Sequence, residues 1–523
     1  MAAFAEIRLD GLPRTPPLGT RCGLRMQAET DHSPGIEKCS FTRASRGDGA
    51  LSKKVAAWPI FRFLRGVKVD MVTLMYFALK PARRKMRFLP LIAATYFMVS
   101  GGPYAIEDIL GGAGFAKAIV ILLVLPFLWS LPTALMIGEL AAALPAEGGF
   151  YVWVRRALGP FWGYQEGWLS LSASIFDMAI YPAIFVLYLG KFSAVLTAGW
   201  HGYAWSLGVV VFCCLWNLRG APAVGEDSVG LFALLLAPFA VFIVLGLWHG
   251  LTVHPLIQWT QTATESGLST AMLVALWNYM GWDNASTVAQ EVENPQRNYP
   301  RAMIGATALV AITYVLPLAA MAFSGLSADS FGTGDWMTAA SAIGGPLLGL
   351  AVVAGGAITG VGMFNALVMS YSRVPLAMAE DGMLPRVLAR KNSRGVPWVS
   401  VLLCGLAWAL ALNLRFEKLI SIDLILYGSS LLLEFVALIV LRVREPKLAR
   451  PFKAGNLAFA CALGVGPAAL IGYALWASRG DKLMGSFSAL LFALAVALLG
   501  PIFYWVTAAP RVRRRLAAAQ AAD

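Results

Sequence analysis

Charge is scarce in this sequence. Only 14% of its 523 residues are Asp, Glu, Lys or Arg, against roughly a quarter in an ordinary soluble domain. That excludes a soluble globular protein of this length. Cysteine is also sparse, and Cys22, Cys39, Cys213, Cys214, Cys404 and Cys461 form no CxxC pair and no metal-ligand spacing, so neither a disulfide framework nor a metal site follows. Cys213 and Cys214 sit together in an apolar run and read as small hydrophobes. His32, His201, His249 and His254 fall in the tail or at expected loop ends, which speaks against a zinc or nucleophile site built on them. There is no GxxxxGK[ST] loop and no polar region large enough for a nucleotide-binding domain. No nucleophile–base pair appears in the apolar segments, so an enzyme is not expected and no cofactor is implied. Alternating ten-residue strands are missing too, which removes an outer-membrane barrel.

What the chain has instead is apolar length. Hydrophobic residues make up 58%, in runs near the roughly 20 residues a helix needs to cross a bilayer. The fold class expected is an all-α polytopic membrane protein of twelve transmembrane helices. The spans are placed at about Phe88–Leu110, Ala118–Leu144, Gly163–Leu189, Tyr203–Leu218, Val229–Trp248, Leu268–Ala289, Ala302–Phe323, Gly345–Tyr371, Trp398–Leu414, Ile420–Leu441, Leu457–Trp476 and Phe487–Val506. Residues 87–510 form this domain. Residues 1–86 are a basic extension, polar and aperiodic to roughly Ala50, and read as disordered. Trp58–Ala78 within it fits an interfacial helix, and Met71 and Met86 stand as alternative starts. Residues 511–523 form a basic tail.

The net charge of +13 resides at the ends, since Met1–Arg87 holds 17 Lys/Arg against 7 Asp/Glu and Arg511–Asp523 holds 4 against 1. Basic ends around a neutral membrane body point to cytoplasmic termini and anionic lipid headgroups. No interleaved aromatic–basic platform for nucleic acid is present. Positive residues also alternate between loops: Arg155/Arg156, Arg219, Arg297/Arg301, Arg373–Arg394 and Arg442–Lys453 fall on one side. This alternation supports the span count and a multi-pass protein of the cytoplasmic (inner or plasma) membrane with both termini inside.

Two spans are interrupted. The first carries Ser100-Gly101-Gly102-Pro103, two flexible residues before one that cannot donate a hydrogen bond. The sixth turns polar at Asn278-Tyr279-Met280-Gly281-Trp282-Asp283. Breaks five helices apart, in spans of opposite direction, are the pattern of two inverted five-helix repeats with a binding site between them, the last two helices standing outside. An ionisable residue within a span is a functional-site candidate, although Asp283 also fits a packing hydrogen bond. Glu107 and Asp108 follow the first break within about two turns; Glu107 equally fits simple helix-dipole complementation. Asp177 shares a helical face with Tyr181, and Glu434 nearly shares one with Tyr427. Several spaced carboxylates and the aromatic faces of Trp277, Tyr279 and Trp282 suit a multivalent cation, while aromatics at span centres also serve packing.

Trp277-Asn-x-x-Gly-Trp-Asp-Asn-Ala-Ser286, followed by Glu291-Val-Glu-Asn-Pro-Gln-Arg-x-x-Pro-Arg-Ala302, resembles the sixth helix of amino acid–polyamine–organocation permeases. Ser-Gly-Gly-Pro followed by Glu107-Asp108 is similar to the branch of plant polyamine uptake transporters. The resemblance implies a LeuT-like 5+5 inverted-repeat fold plus two helices. It gives Trp277 the substrate-facing position of helix six and Asp283 the acidic position linking the break to its surroundings. It also implies a small-molecule substrate, polyamine ahead of amino acid, and a coupling proton carried by Asp177 or Glu434, because burial disfavours a charged carboxyl. No lysine occurs in Val229–Trp248, so the fifth-helix lysine of some proton-coupled relatives is absent. Glu139, Pro145 and Glu147-Gly148-Gly149, with Ser372-Arg373 and Glu380-Asp381-Gly382, match the family's scaffold and gating segments. The substrate-binding set expected is therefore Ser100, Gly101, Gly102, Glu107, Asp108, Asp177, Tyr181, Trp277, Asn278, Gly281, Trp282, Asp283, Tyr427 and Glu434. The alternatives are an amino acid exchanger or symporter of the same fold, or a sensor that binds without transporting.

Overall fold

A computed structural model of the chain describes residues 85–256, 259, 264–329, 331–412, 416–480, 482–484 and 487–512. Residues 1–84 of the extension expected over 1–86, the interfacial helix at Trp58–Ala78 and the end of the basic tail lie outside them. The described chain is helical apart from a short antiparallel pair, β1 (Lys482–Met484) and β2 (Phe487–Ser488). Helix starts follow local chemistry. Gly159 and Gly345, both at positive φ, turn the chain into Pro160 and Pro346 at the first helical position, where proline's missing N–H costs nothing.

Among the described residues eight helical stretches are long and apolar enough to cross a membrane, and two shorter apolar helices accompany them. The long ones include α2 (Glu107–Leu125), which continues through a π turn at Pro126–Ser130 into α3 (Leu131–Ala143). Gly114, at φ 72°, interrupts α2 and separates the end of the first expected span from the second. After α4 (Gly149–Leu158) come α5 (Pro160–Phe192), α6 (Trp200–Asn217) and α7 (Ala221–Val253). The chain continues with α8 (Glu265–Asn278), α9 (Pro295–Phe323), α10 (Trp336–Gly344), α11 (Pro346–Tyr371) and α12 (Arg373–Glu380). The remainder is α13 (Trp398–Ala411), α14 (Phe416–Arg444), α15 (Leu457–Leu463), α16 (Val465–Ala477) and α17 (Ala489–Phe503).

Four of the twelve expected spans are therefore not long apolar helices. The first is only α1 (Phe88–Val99) before its break, and the sixth is α8, which ends after 14 residues. The fourth lies in α6, whose 18 residues open with the polar Trp-His-Gly-Tyr, and the ninth in the 14-residue α13.

Burial separates centre from rim. The most apolar window of α5 is 72% buried, while that of α7 is 22% buried, so α5 is a core element and α7 offers an apolar face outward. Leu251, Trp248 and Val244 of α7, with Leu410 of α13, are exposed apolar side chains, the surface a helix bundle presents to lipid. α5 packs most extensively against α11 and α14. The Gly356-xxx-Gly360 pattern lies on the α5–α11 seam: a Cβ at Gly356 would overlap the Tyr188 ring, and one at Gly360 would lie 2.6 Å from the Tyr181 carbonyl oxygen. The chain is a polytopic α-helical membrane protein.

Candidate functional site

The two helix breaks touch. α1 stops at Val99, and Ser100–Ile106 runs without regular helix, with Gly102 at φ 73° and Ala105 at φ 66°. α8 stops at Asn278, and Gly281 at φ 89° turns the chain into a short 3-10 segment, Trp282–Thr287. A side chain at Gly281 would overlap the Met98 carbonyl oxygen, so only glycine permits this approach and this φ. Asn278 ties the breaks together, its Nδ2 donating to the Ala105 carbonyl at 3.1 Å and to the Val274 carbonyl at 2.9 Å.

Opening a helix inside an apolar bundle frees backbone groups that need partners. Here several find them. Thr359 Oγ1 donates to the Gly101 carbonyl (2.8 Å), Trp336 Nε1 to that of Pro103 (2.6 Å) and Tyr314 OH to that of Asn278 (2.7 Å). The Gly102 N–H donates to Ser100 Oγ (3.0 Å), and the Gly281 N–H to the Tyr427 hydroxyl (3.0 Å).

Between the breaks lies a cavity. Of the residues singled out by sequence, Asp177, Tyr181, Trp277, Asn278, Gly281 and Tyr427 line it. Asp177 accepts from Tyr181 OH at 2.6 Å through Oδ1 and from Tyr371 OH at 3.3 Å through Oδ2. The shared face of Asp177 and Tyr181 is thus a hydrogen bond. Pro182 in the same turn removes a backbone donor from α5. The Tyr181 and Trp277 rings stack, with centroids 6.2 Å apart and planes inclined by 25°. Among the described residues the lining contains two carboxylates, Asp177 and Asp423, and no Lys or Arg.

The remaining sequence-selected residues do not line the cavity. Asp283 is buried one step behind it and accepts a short hydrogen bond from the Tyr427 hydroxyl. Trp282 is fully buried. Ser100, Gly101 and Gly102 form the break but are absent from the lining. Glu107 and Asp108 point elsewhere: Glu107 Oε1 accepts from Tyr188 OH (2.5 Å) and the Gly334 N–H (3.1 Å), and Asp108 accepts from the Thr333 N–H (2.9 Å) and hydroxyl (2.8 Å). Both acids hold the loop before α10. Glu434 is fully buried away from the lining.

Sequence reading missed Asp423, Tyr371 and the methionines Met98, Met280 and Met363, all in the lining. Asp423 carried a usable signal, an acid within a span one turn before Tyr427. The methionines carried none, since they look like any core residue.

The amino acid permease family model matches residues 88–519. A probable polyamine transporter of Arabidopsis thaliana is 35% identical over 71% of this chain and 74% of its own length. A polyamine transporter of Oryza sativa subsp. japonica is 35% identical over 75% of this chain and 74% of its own. A serine/threonine exchanger of Bacillus subtilis (strain 168) is 29% identical over 64% of this chain and 78% of its own. The chain belongs to the amino acid permease family. It is a multi-pass transporter rather than an enzyme.

In this permease the segments read as scaffold converge at one end of the bundle. Glu139 of α3 is fully buried and takes Arg442 of α14 as a two-point partner, with Arg450 Nε 3.3 Å away and the Ala454 N–H at 2.8 Å. Arg373 binds Glu291 through Nε and Nη2 at 2.9 and 2.8 Å, and Lys391 binds Glu147 and Glu380 at 2.7 and 3.0 Å. Arg155 pairs with Asp381, which also accepts from Tyr151 OH at 2.9 Å. The Gly148 N–H reaches the Thr287 carbonyl (2.9 Å) and the Phe150 N–H reaches Ser286 Oγ (3.2 Å), joining this end to the segment after the α8 break.

Proposed function

We propose that this permease is a secondary transporter of cationic amines, polyamines ahead of amino acids, working by alternating access across the cytoplasmic membrane. In this reading twelve helices cross the bilayer, ten of them as two inverted repeats about the paired breaks, with both termini inside. Residues 87–510 are the transport domain, flanked by a basic extension and tail.

One observation carries the substrate class. The cavity between the breaks is acidic and aromatic, with Asp177 and Asp423 in its wall and, among the described residues, no cationic side chain. A bound cation supplies the missing charge, and the stacked Tyr181 and Trp277 offer π faces for its methylenes and ammonium groups. Amino acid carriage needs amides for the α-carboxylate. Here Pro103 has none, and the Gly102 and Gly281 N–H groups are already donated to Ser100 and Tyr427. An amine without a carboxylate fits these conditions better. Tyr427, held by Asp283 and donated to by the Gly281 N–H, links substrate contact to the geometry of the break.

A proton is the coupling ion in this reading, with Asp177 or Glu434 as its carrier. The second reading, exchange of small amino acids, is supported by the B. subtilis relative's name alone. Counterflow in proteoliposomes, with putrescine, spermidine, arginine and leucine as competitors, separates these. Efficient competition by the two polyamines is expected. Competition by leucine alone would give the exchanger, and binding without counterflow would give a sensor.

A further inference from the structure

Behind the cavity lies a second carboxyl centre. Glu434 of α14 is fully buried, and neither carboxyl oxygen meets a hydrogen-bond partner among the described residues. Ser430, one turn earlier on the same face, donates a short hydrogen bond to Glu166 Oε1 of α5. Ser170 Oγ lies 2.8 Å from Ser430 Oγ and 3.4 Å from Glu166 Oε1. Glu166 is fully buried too, and its Oε2 is likewise without a partner among the described residues.

Among the described residues the surroundings supply no compensating charge. The electrostatic neighbours of Glu434 are Asp283 and Glu166, both acids, and Tyr427 of its own helix. The nearest cation along α14 is Arg442, two turns beyond and committed to Glu139. From α4, Arg155 and Arg156 are committed to Asp381 and Glu445. From α8 the only charged residue is Glu265 at its start, and α15, α16 and α17 carry none. A carboxylate without donors or cations is strongly disfavoured in such a place, whereas a neutral acid is tolerated. Asp177 contrasts with this: both its oxygens accept from tyrosines, which favours a charged carboxylate facing an ammonium.

We propose that Glu166 and Glu434 together form the proton site of the permease, separate from the substrate carboxylates, with Asp283 and Tyr427 joining it to the cavity. One proton entering from one side converts one carboxylate of the pair to the acid, and its departure to the other side restores the carboxylate. The Ser170 and Ser430 hydroxyls donate to Glu166 Oε1 when that carboxylate carries the charge. This deepens the transport reading and rests on it, and it selects Glu434 over Asp177 as carrier.

Reconstituted protein tests the site by two assays run side by side: spermidine counterflow without a pH gradient, and spermidine accumulation driven by one. Glu166→Gln keeps the shape of the neutral acid. It is expected to hold counterflow within about twofold of wild type while accumulation loses its pH-gradient drive and its pH profile flattens. Glu434→Gln is expected to lose the same pH response. In infrared difference spectra it should also lose a protonated-carboxyl C=O band that wild type shows. Either variant accumulating spermidine with the wild-type pH profile would overturn the proposal. So would wild-type accumulation driven by sodium, or counterflow in wild type with no response to a pH gradient. A wild type that counterflows no amine and no amino acid would sink the transport reading instead, and the infrared band of Glu434 would still decide whether that site holds a proton.

Discussion

The same chemical groups are treated oppositely at the middle and at one end of this bundle. At the end, Glu139, Glu147, Glu291, Asp381 and Glu445 each meet a guanidinium or ammonium. At the middle, Asp177, Asp283, Glu166, Asp423 and Glu434 are all buried, and among the described residues none forms an ion pair. Buried charge is costly, so a fold that needed those acids only for packing would have given them the cations it gives Glu139. The paired end is built to hold. The unpaired middle is built to receive charge from outside the chain.

Substitutions can break or sharpen that contrast. The largest effect is expected from Asp283→Asn, which preserves an acceptor for Tyr427 but removes the charge. Uptake should fall by at least about tenfold with surface expression and thermal stability near wild type, and unchanged uptake at the wild-type KM would remove Asp283 from the site. At the paired end the consequence should reverse. Glu139→Gln strands Arg442 without its counter-charge and should cost about 3–5 kcal/mol, read as a lowered Tm in detergent, with the residual folded protein still binding substrate. Gly281→Ala forces a Cβ onto the Met98 carbonyl at positive φ. It should lose about 1–3 kcal/mol together with most uptake, and normal uptake would show that the breaks need not touch.

The smallest effect is a matter of pH. The hydrogen bond and charge of Arg156 hold the Glu445 carboxyl below its ordinary value. Its contribution is therefore fully present above the unfolded carboxyl's pKa and disappears as pH falls through the lower, folded value. Because the pair is largely exposed it is worth at most about 1 kcal/mol. The Tm difference between wild type and Glu445→Gln should be small at neutral pH and vanish in acid.

Much of this organisation is legible in the sequence. Gly-Gly-Pro and Asn-x-x-Gly-x-Asp inside apolar runs are local departures from helix chemistry, and the chain does leave the helix at both. The Asp177–Tyr181 contact followed from helical spacing for the same reason. Depth was harder to read. Tyr427 and Glu434 share a face, but seven residues are roughly 10 Å along a helix, so one reaches the cavity and the other does not. Glu107 and Asp108 were placed by their distance from a break, whereas their partners Tyr188, Thr333 and Gly334 come from segments that only tertiary packing brings near. Asp423 and Glu166 were visible by the rule that flagged Asp177 but stood outside any recognised motif.

Labelled spermidine counterflow by wild type and Asp177→Asn in the same proteoliposome preparation tests the central claim most directly. Wild type should exchange spermidine, and the variant, having lost the charge in the cavity wall, should not. Equal exchange by both, or a wild type that moves leucine and ignores spermidine, would contradict the account of an acidic cavity built for amines.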